Sequence, residues 1–500
     1  MRRAAPLVWT GFDGTTLPER MRTLLRDGDI GGFSLFARNI EDARQLRDLV
    51  LEIREARPVP VALDQEGGNV IRVAFGTVFP SAMAFGAAND EALTERAAAV
   101  AARELRALGV GIDFAPDCDV NVEPANPVIG TRSFSDDPER CGALAAAWIR
   151  GMQGAGVACT AKHFPGHGAT NRDSHLTLPT VTDDAATIER RELAPFRDAI
   201  AAGVAQVMTA HVLYPALDTH PGTYSERINV ELLRRRLGFE GVLCSDALEM
   251  AGARLDHDEP AARAIAAGVD IAHVCQPEPG QPERALDAVE RAASSGAISA
   301  ERMAEALRRA REFAARWTHP PAERVPPPEH ELAVEVASRA ITQVGPALPD
   351  LRSGPVVVAA FPSTHVTRAE ELRDPLGVLE RALRQRFGTR LRFVRLPAAV
   401  DVPRGAALLV VTSSAFFDAA QEGRARELLA RAERAALCAI RSPYDAALFP
   451  GTPALLTYSD VPASCEALAM ALAGERRARG RLPVRLPESP TAAPRTSVRA

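Results

Sequence analysis

Residues 7–274 alternate between two hydrophobic periods, and this alternation limits the possible folds more than any other feature of the 500-residue chain. Short apolar, β-branched runs occur at Leu7–Thr10, Gly32–Phe36, Val59–Leu63, Gly111–Ala115, Ala158–Lys162, Ala205–Thr209, Gly241–Ser245 and Asp270–Val274. Between them lie segments such as Glu91–Leu108 and Pro138–Gln153, whose apolar residues recur at i, i+3 and i+4. Eight strands alternating with helices predict a (β/α)8 barrel in the α/β class. An open doubly wound sheet would more usually have fewer strands and a Gly-rich nucleotide loop after the first. Here the first strand runs into Gly11-Phe12-Asp13-Gly14-Thr15, which is no dinucleotide fingerprint.

The pattern ends with a helix over Ala300–Trp317, and a stretch with five prolines between Pro320 and Pro328 follows. Such a stretch is stiff and extended. The expected division is a catalytic barrel over 1–318, a Pro-rich linker over 319–331 and a smaller C-terminal α/β sandwich over 332–500. Strands of this second domain are expected near Val356–Phe361, Arg392–Leu396, Ala407–Val411, Ala436–Ile440 and Ala454–Thr457, in a parallel sheet with helices on both faces. Helices are expected over Glu370–Arg386 and Ala420–Arg434, and Thr491–Ala500 reads as a frayed tail.

A formal charge of −5 leaves no basic surface suited to nucleic acid. The Arg-rich run Arg234–Arg236 sits among Leu and Glu and reads as a solvated helix face. The seven cysteines are scattered, odd in number and without a CxxC pair, as expected of buried thiols in a reducing compartment. The opening residues carry two Arg ahead of an apolar run, but Gly11 and Asp13 break it and no cleavage site follows. With no apolar run long enough to span a bilayer, a cytoplasmic protein that does not engage membranes is expected.

Chemistry concentrates in Ala161–His175, which holds three His, one Asp and Lys162, the only lysine among 59 basic residues. An ammonium is a compact point charge where a guanidinium is a larger fork, so a position that keeps Lys in an Arg-rich chain suggests a tight pocket gripping several oxygens. Asp64, Lys162, His163, His211 and Asp246 all fall where barrel strands end, the face on which such barrels place their chemistry. Asp173-Ser174-His175 lets a carboxylate accept from one imidazole nitrogen and leaves the other for proton transfer. A nucleophilic Asp246 facing His175 as proton donor would suit glycoside cleavage with retention. The alternative reading makes His163, His167, Asp173 and His175 metal ligands. Barrel metallohydrolases typically draw ligands from the end of the first strand, and this chain has no His there, so no metal is assigned. One of His163 and His167 is left as a structural residue ordering the loop.

The motifs Asp64-Gln65-Glu66-Gly67-Gly68-Asn69-Val70-Ile71-Arg72, Asn126-Pro127-Val128-Ile129-Gly130-Thr131-Arg132-Ser133-Phe134, Lys162–His175 and Ser245-Asp246-Ala247-Leu248-Glu249-Met250 occur in this order. Together they resemble glycoside hydrolase family 3, in its β-N-acetylglucosaminidase branch, which uses a His–Asp dyad in place of a Glu acid. Ser442-Pro443-Tyr444-Asp445 and Gly480-Arg481-Leu482-Pro483-Val484 resemble the family's C-terminal domain. The resemblance implies Asp246 as nucleophile, His175 as acid/base and Asp173 as its partner. It implies Asp64, Arg72, Arg132, Lys162 and His163 as the grip on the sugar, and no cofactor. Asn69 stands where relatives often have Arg, so no sugar contact is assigned to it, and Glu249 is left without a role.

The expectation is a retaining exo-β-N-acetylglucosaminidase acting on a small carbohydrate, as a monomer or homodimer, with removal of N-acetylglucosamine from cell-wall fragments implied by the resemblance. A β-N-acetylglucosaminide phosphorylase would share the site, because a His donor tolerates phosphate where a carboxylate repels it. A sugar-binding protein without activity is the third reading, against which the intact Asp246, His175 and Asp173 argue.

Overall fold

The fold is taken from a computed structural model describing residues 2–253, 259–275, 278–364, 366–367, 369–371 and 374–488. The expected tail Thr491–Ala500 lies outside the described residues. Eight parallel strands form one sheet: β1 (Val8–Thr10), β2 (Gly32–Ser34), β3 (Val61–Leu63), β4 (Ile112–Asp113), β5 (Ala158–Phe164), β6 (Gln206–Thr209), β7 (Val242–Cys244) and β8 (Ala272–Val274). Their order is β8-β1-β2-β3-β4-β5-β6-β7. A parallel bridge between Cys244 and Ile271 joins the two ends, and Ser245 N–H donates to the Ile271 carbonyl at 2.9 Å. All eight expected strands are present, and the ring they form is the (β/α)8 barrel.

The helices show why the 3.6-residue pattern packs where it does. Asp90 caps the helix Glu91–Ala107 by accepting from Leu93 N–H, and the buried face carries Leu93, Ala97, Ala101 and Leu105. This face meets the helix Pro138–Gly154, which turns its small residues inward. A β-carbon on Gly151 would sit 2.1 Å from the Glu95 carbonyl oxygen, so the two backbones approach more closely than any side chain permits. The Arg234–Arg236 run corrects one expectation. Arg234 is no solvated residue: it donates to Asp270 at 2.6 Å and to the Phe239 and Gly241 carbonyls, which ties its helix to the strands beneath.

The C-terminal domain holds a second sheet: β9 (Thr342–Val344), β10 (Val356–Ala360), β11 (Leu391–Arg395), β12 (Ala407–Thr412), β13 (Ala435–Ala439) and β14 (Ala454–Leu456). The order is β9-β14-β13-β12-β10-β11. The sheet is mixed rather than parallel, because β9 pairs antiparallel with β14. That strand escaped the sequence reading: three residues with one buried position carry no recognisable alternation. The helix expected from Glu370 begins only at Leu376. Glu370 and Glu371 belong instead to an irregular segment that leaves the sheet after β10 and turns toward the barrel.

Among the contacts that join the domains are two at the Asn121–Asp136 loop. Tyr444 Oη accepts from Asn121 Nδ2 at 2.8 Å, and the Pro483 carbonyl accepts from Ser135 Oγ at 2.5 Å and Asp136 N–H at 3.1 Å. No helix among the described residues is long and apolar enough to cross a membrane.

Gly151→Ala tests the helix contact. Alanine favours a helix over glycine by about 1 kcal/mol, while overpacking against backbone costs about 1–3 kcal/mol. A fall of a few degrees in the thermal unfolding midpoint is expected; a rise would mean that the helices stand further apart.

Candidate active site

Strand ends and their loops line a cavity of about 680 Å³ at the mouth of the barrel, within the range that holds one or two sugar rings. Asp64, Arg72, Arg132, Lys162, His163, His175 and Asp246 all line it. Asp173 stands behind His175. These eight residues, assigned together from the sequence, are therefore brought to one place, whereas His167, His211 and Asn69 are not part of the lining.

At its base is a buried charge network. Lys162, 2% exposed, places Nζ 2.9 Å from Asp64 Oδ1 and 2.5 Å from Glu66 Oε1. Arg132 grips Glu66 with Nε and Nη2, each at 2.8 Å, and Arg72 Nη2 reaches Asp64 Oδ2 at 3.1 Å. Burial opposes charge on both carboxylates, yet the surrounding cations prevail. Asp64 is pulled well below the usual carboxylate range, chiefly by Lys162 and Arg72, and Glu66 drops to about 2 under Arg132 and Lys162. Glu66 was legible only as part of a motif, since a glutamate in a Gly-rich turn looks like solvent-facing polarity. It holds Lys162 and Arg132 apart at fixed separation.

His163 leans on Asp119. Its Nδ1 lies 2.7 Å from Asp119 Oδ2, and a carboxylate can only accept, so Nδ1 carries the proton and Nε2 faces Arg132 Nη2 at 3.5 Å. Burial, seconded by Arg132, lowers His163 to about 4, and burial raises Asp119 to about 6. The ring is thus a neutral acceptor beside two cations. Asp117, Asp119 and His163 bring ligand-type atoms within 4.8 Å of one another. Asp119 spends its oxygens on the His163 ring and on the His163 and His167 N–H groups, so the cluster is a hydrogen-bonded support for the ring. His167 takes the structural role. Its Nδ1 meets Thr170 Oγ1 at 2.7 Å and its Nε2 meets Ser174 Oγ at 3.0 Å, which braces the loop carrying Asp173 and His175.

Asp173 Oδ1 accepts from both His175 N–H, at 2.8 Å, and His175 Nδ1, at 2.7 Å. The local turn thus sets the imidazole's orientation and leaves Nε2 toward the cavity. Burial raises Asp173, but the hydrogen bond and charge of His175 outweigh it and the carboxyl ends below its ordinary value. Asp246 lines the same cavity as His175, and its Oδ1 accepts from Ala247 N–H at 2.7 Å. Its pKa is also lowered: burial is outweighed by His211, His163 and His175, and by that N–H. His211 was noted in the sequence only as a strand-end residue. Its Nε2 donates to the Ala247 carbonyl at 3.1 Å and its Nδ1 accepts from Thr223 at 2.7 Å, which pins the turn on which Asp246 sits. That turn packs on the dyad loop, since Gly252 N–H donates to the Ser174 carbonyl at 3.0 Å.

The sequence reading missed the second domain's share. The segment after β10 brings the Ala369 carbonyl and Glu371 Oε1 to Arg72 Nη1, at 3.2 and 3.0 Å, and both residues line the cavity. Asn69 faces this domain rather than the cavity. With its amide oriented to suit its neighbours, it donates to Asp460 Oδ1 at 2.7 Å and accepts from Arg441 Nε at 2.8 Å. Glu249 lines the cavity three residues beyond Asp246 and is nearly buried.

The His163 environment has a pH signature. The fold lowers this imidazole from 6.5 to about 4, so the unfolded chain takes up the proton first. Its neutral form therefore stabilises the fold above pH 6.5, and this contribution is lost as pH falls toward 4. A ring-nitrogen NMR titration is expected to show His163 neutral at pH 5.5; protonation with a midpoint above 6 would contradict the buried, cation-flanked placement.

Comparison with known proteins gives the family. Residues 8–312 match the glycosyl hydrolase family 3 N terminal domain. A β-hexosaminidase of Pseudomonas aeruginosa is 42% identical over 283 residues, covering 56% of this chain and 84% of the relative. The solved family 3 β-N-acetylglucosaminidase of Paenibacillus sp. is 32% identical and superposes with a TM-score of 0.90 over 98% of this chain and 99% of that one. A β-glucoside phosphorylase at 21% identity shares the fold, with a TM-score of 0.80 over 97% of this chain and 94% of that one. A (β/α)8 barrel whose mouth gathers the family's motifs around one cavity, joined to a C-terminal α/β domain, places this chain in glycosyl hydrolase family 3: it is a glycoside hydrolase.

Proposed function

We propose that the chain is a retaining exo-β-N-acetylglucosaminidase that removes terminal β-linked N-acetylglucosamine from chito-oligosaccharides or cell-wall fragments. The observation that carries this reading is the Asp173–His175 pair sharing with Asp246 one cavity, which the Lys162 network also lines. His175 Nε2 gives its proton to the leaving oxygen while Asp246 attacks the anomeric carbon and forms a glycosyl ester. His175 then takes a proton from water, which attacks the same carbon and restores the Asp246 carboxylate. Asp173 stabilises the imidazolium that gives the first proton and holds Nδ1–H in the neutral ring that takes the second. The cations and carboxylates of the base suit charge-assisted hydrogen bonds to adjacent hydroxyls of the terminal sugar. The name of the Paenibacillus relative favours N-acetylglucosamine, and that of the P. aeruginosa relative, a β-hexosaminidase, is in keeping with it.

Water is the acceptor assigned in this reading, in keeping with the hexosaminidase and N-acetylglucosaminidase names of the relatives. Among the described residues the cavity is lined by five carboxylates (Asp64, Asp246, Glu249, Glu278, Glu371) against four cations (Arg38, Arg72, Arg132, Lys162). Once Asp246 is esterified, four of those carboxylates face the four cations when the acceptor enters, so wall charge does not separate water from phosphate. The seven cysteines are all free and buried, in keeping with the reducing interior of a cell, where we place the enzyme.

The test is nitrophenol release from the β-N-acetylglucosaminide, β-glucoside and β-xyloside, with and without millimolar phosphate. Turnover of the N-acetylglucosaminide that ignores phosphate is expected. A phosphate-driven rate yielding sugar 1-phosphate would make the chain a phosphorylase, and a preference for the glucoside would overturn the substrate. Asp246→Ala is expected to abolish turnover, a loss of at least ~10⁴-fold for a covalent nucleophile.

A further inference from the structure

The segment between β10 and the helix Leu376–Phe387 does more than touch Arg72. Thr367, 1% exposed, puts Oγ1 3.2 Å from Asp173 Oδ2. Asp173 is itself 3% exposed, so bulk water does not substitute for this hydroxyl. The two oxygens of Asp173 are thereby divided: Oδ1 serves His175 twice, and Oδ2 is held from the other domain. A carboxylate held at one oxygen can swing about its Cβ–Cγ bond, whereas one held at both cannot. The His175 ring takes its direction from Asp173, so the swing would carry the proton-transferring nitrogen with it.

The arm bearing Thr367 is fastened on either side. Ser363 Oγ donates to Asp460 Oδ2 at 2.7 Å, and Arg441 Nη1 donates to the Thr364 carbonyl at 2.6 Å while its other nitrogen pairs with Glu370. Val366 N–H donates to Glu370 Oε2 at 2.9 Å, and Glu371 N–H donates to the Asn69 carbonyl at 2.8 Å. The described residues on both sides of Thr367 are thus hydrogen-bonded to their surroundings, as a positioning group needs. Its chemistry also suits the task. A hydroxyl is a neutral donor, so it fixes the carboxylate without cancelling the charge that His175 uses; an Arg or Lys there would compete with the imidazole for it.

We infer that Thr367, from the C-terminal domain, is a positioning residue for the Asp173–His175 pair, so that the second domain completes the acid/base of the barrel. The inference rests on the reading of His175 as acid/base and is tested beside it. Thr367→Val removes the hydroxyl at nearly constant volume, and Thr367→Ser keeps it. kcat/KM is measured on chitobiose, whose leaving group needs a proton, and on the 2,4-dinitrophenyl β-N-acetylglucosaminide, whose leaving group does not.

The expected result for Thr367→Val is a loss of about tenfold on chitobiose, as for one charge-assisted hydrogen bond, with the dinitrophenyl substrate within about twofold and Thr367→Ser near wild type on both. Equal losses on the two substrates, no loss on either, or failure of Ser to rescue would overturn the inference. Thr367→Ala carries the same test should the valine variant fail to fold. His175→Ala, run in parallel, separates the two claims. If it shows no leaving-group dependence, the acid/base reading itself is wrong; if it shows the dependence and Thr367→Val does not, only the role of Thr367 falls.

Discussion

The ammonium of Lys162, enclosed between Asp64 and Glu66, is the interaction on which the rest of the site depends. Burying an ion costs several kcal/mol unless its partners are close and their remaining hydrogen-bonding capacity is filled. Here the requirement propagates outward. Glu66 needs Arg132 as well as Lys162, and Asp64 needs Arg72. Arg72 is then shared with Glu371 of the second domain. Each member carries a charge that only the next member makes tolerable, so the network is poor material for gradual substitution. This accounts in physical terms for a single lysine in a chain that otherwise uses arginine: two carboxylates within 3 Å of one nitrogen leave room for a point charge and not for a planar fork.

The same logic joins the domains. The hairpin that follows β3, with Gln65–Gly67 paired to Val70–Ile71, carries Glu66 toward the base of the cavity and Asn69 toward the second domain. One turn thereby sets the buried charge network of the cavity and a domain interface. Arg441 takes Asn69 and Glu370 together, and through Glu370 it holds the arm that returns to Arg72 and Asp173. Displacing the C-terminal domain would open the cavity wall and also release charges inside it. The family fold is a shared scaffold; the particular linkage is written in side chains that two distant parts of the chain contribute.

The eight barrel strands were legible because each is a buried apolar run bounded by polar turns, and the helices between them because their apolar stripe repeats at the helical period. Edges and exceptions were less so. β9 is too short to show alternation, and Glu370–Arg386 reads as one amphipathic helix although its first residues are drawn into an irregular arm by Arg441 and Arg72. Arg234 reads as a surface charge because composition says nothing of a buried Asp270 waiting 36 residues further along the chain. Local pattern reports what a segment prefers, and partners distant in sequence decide where that preference yields.

The sequence by itself determined the barrel, the place of the chemistry at its strand ends, and the motif residues that converge there, since these follow from periodicity, strand boundaries and residue type. It also contained the Asp173–His175 contact, which spans two residues and forms in a local turn. Only the tertiary structure decided what holds those residues: Glu66 beneath Lys162, Asp119 behind His163, His211 behind the Asp246 turn, and the arm of the second domain against Arg72 and Asp173. Each of those is a contact between segments tens to hundreds of residues apart. Such contacts leave no periodic trace in a single chain, because an electrostatic partner is selected by distance in space and not by position along the backbone.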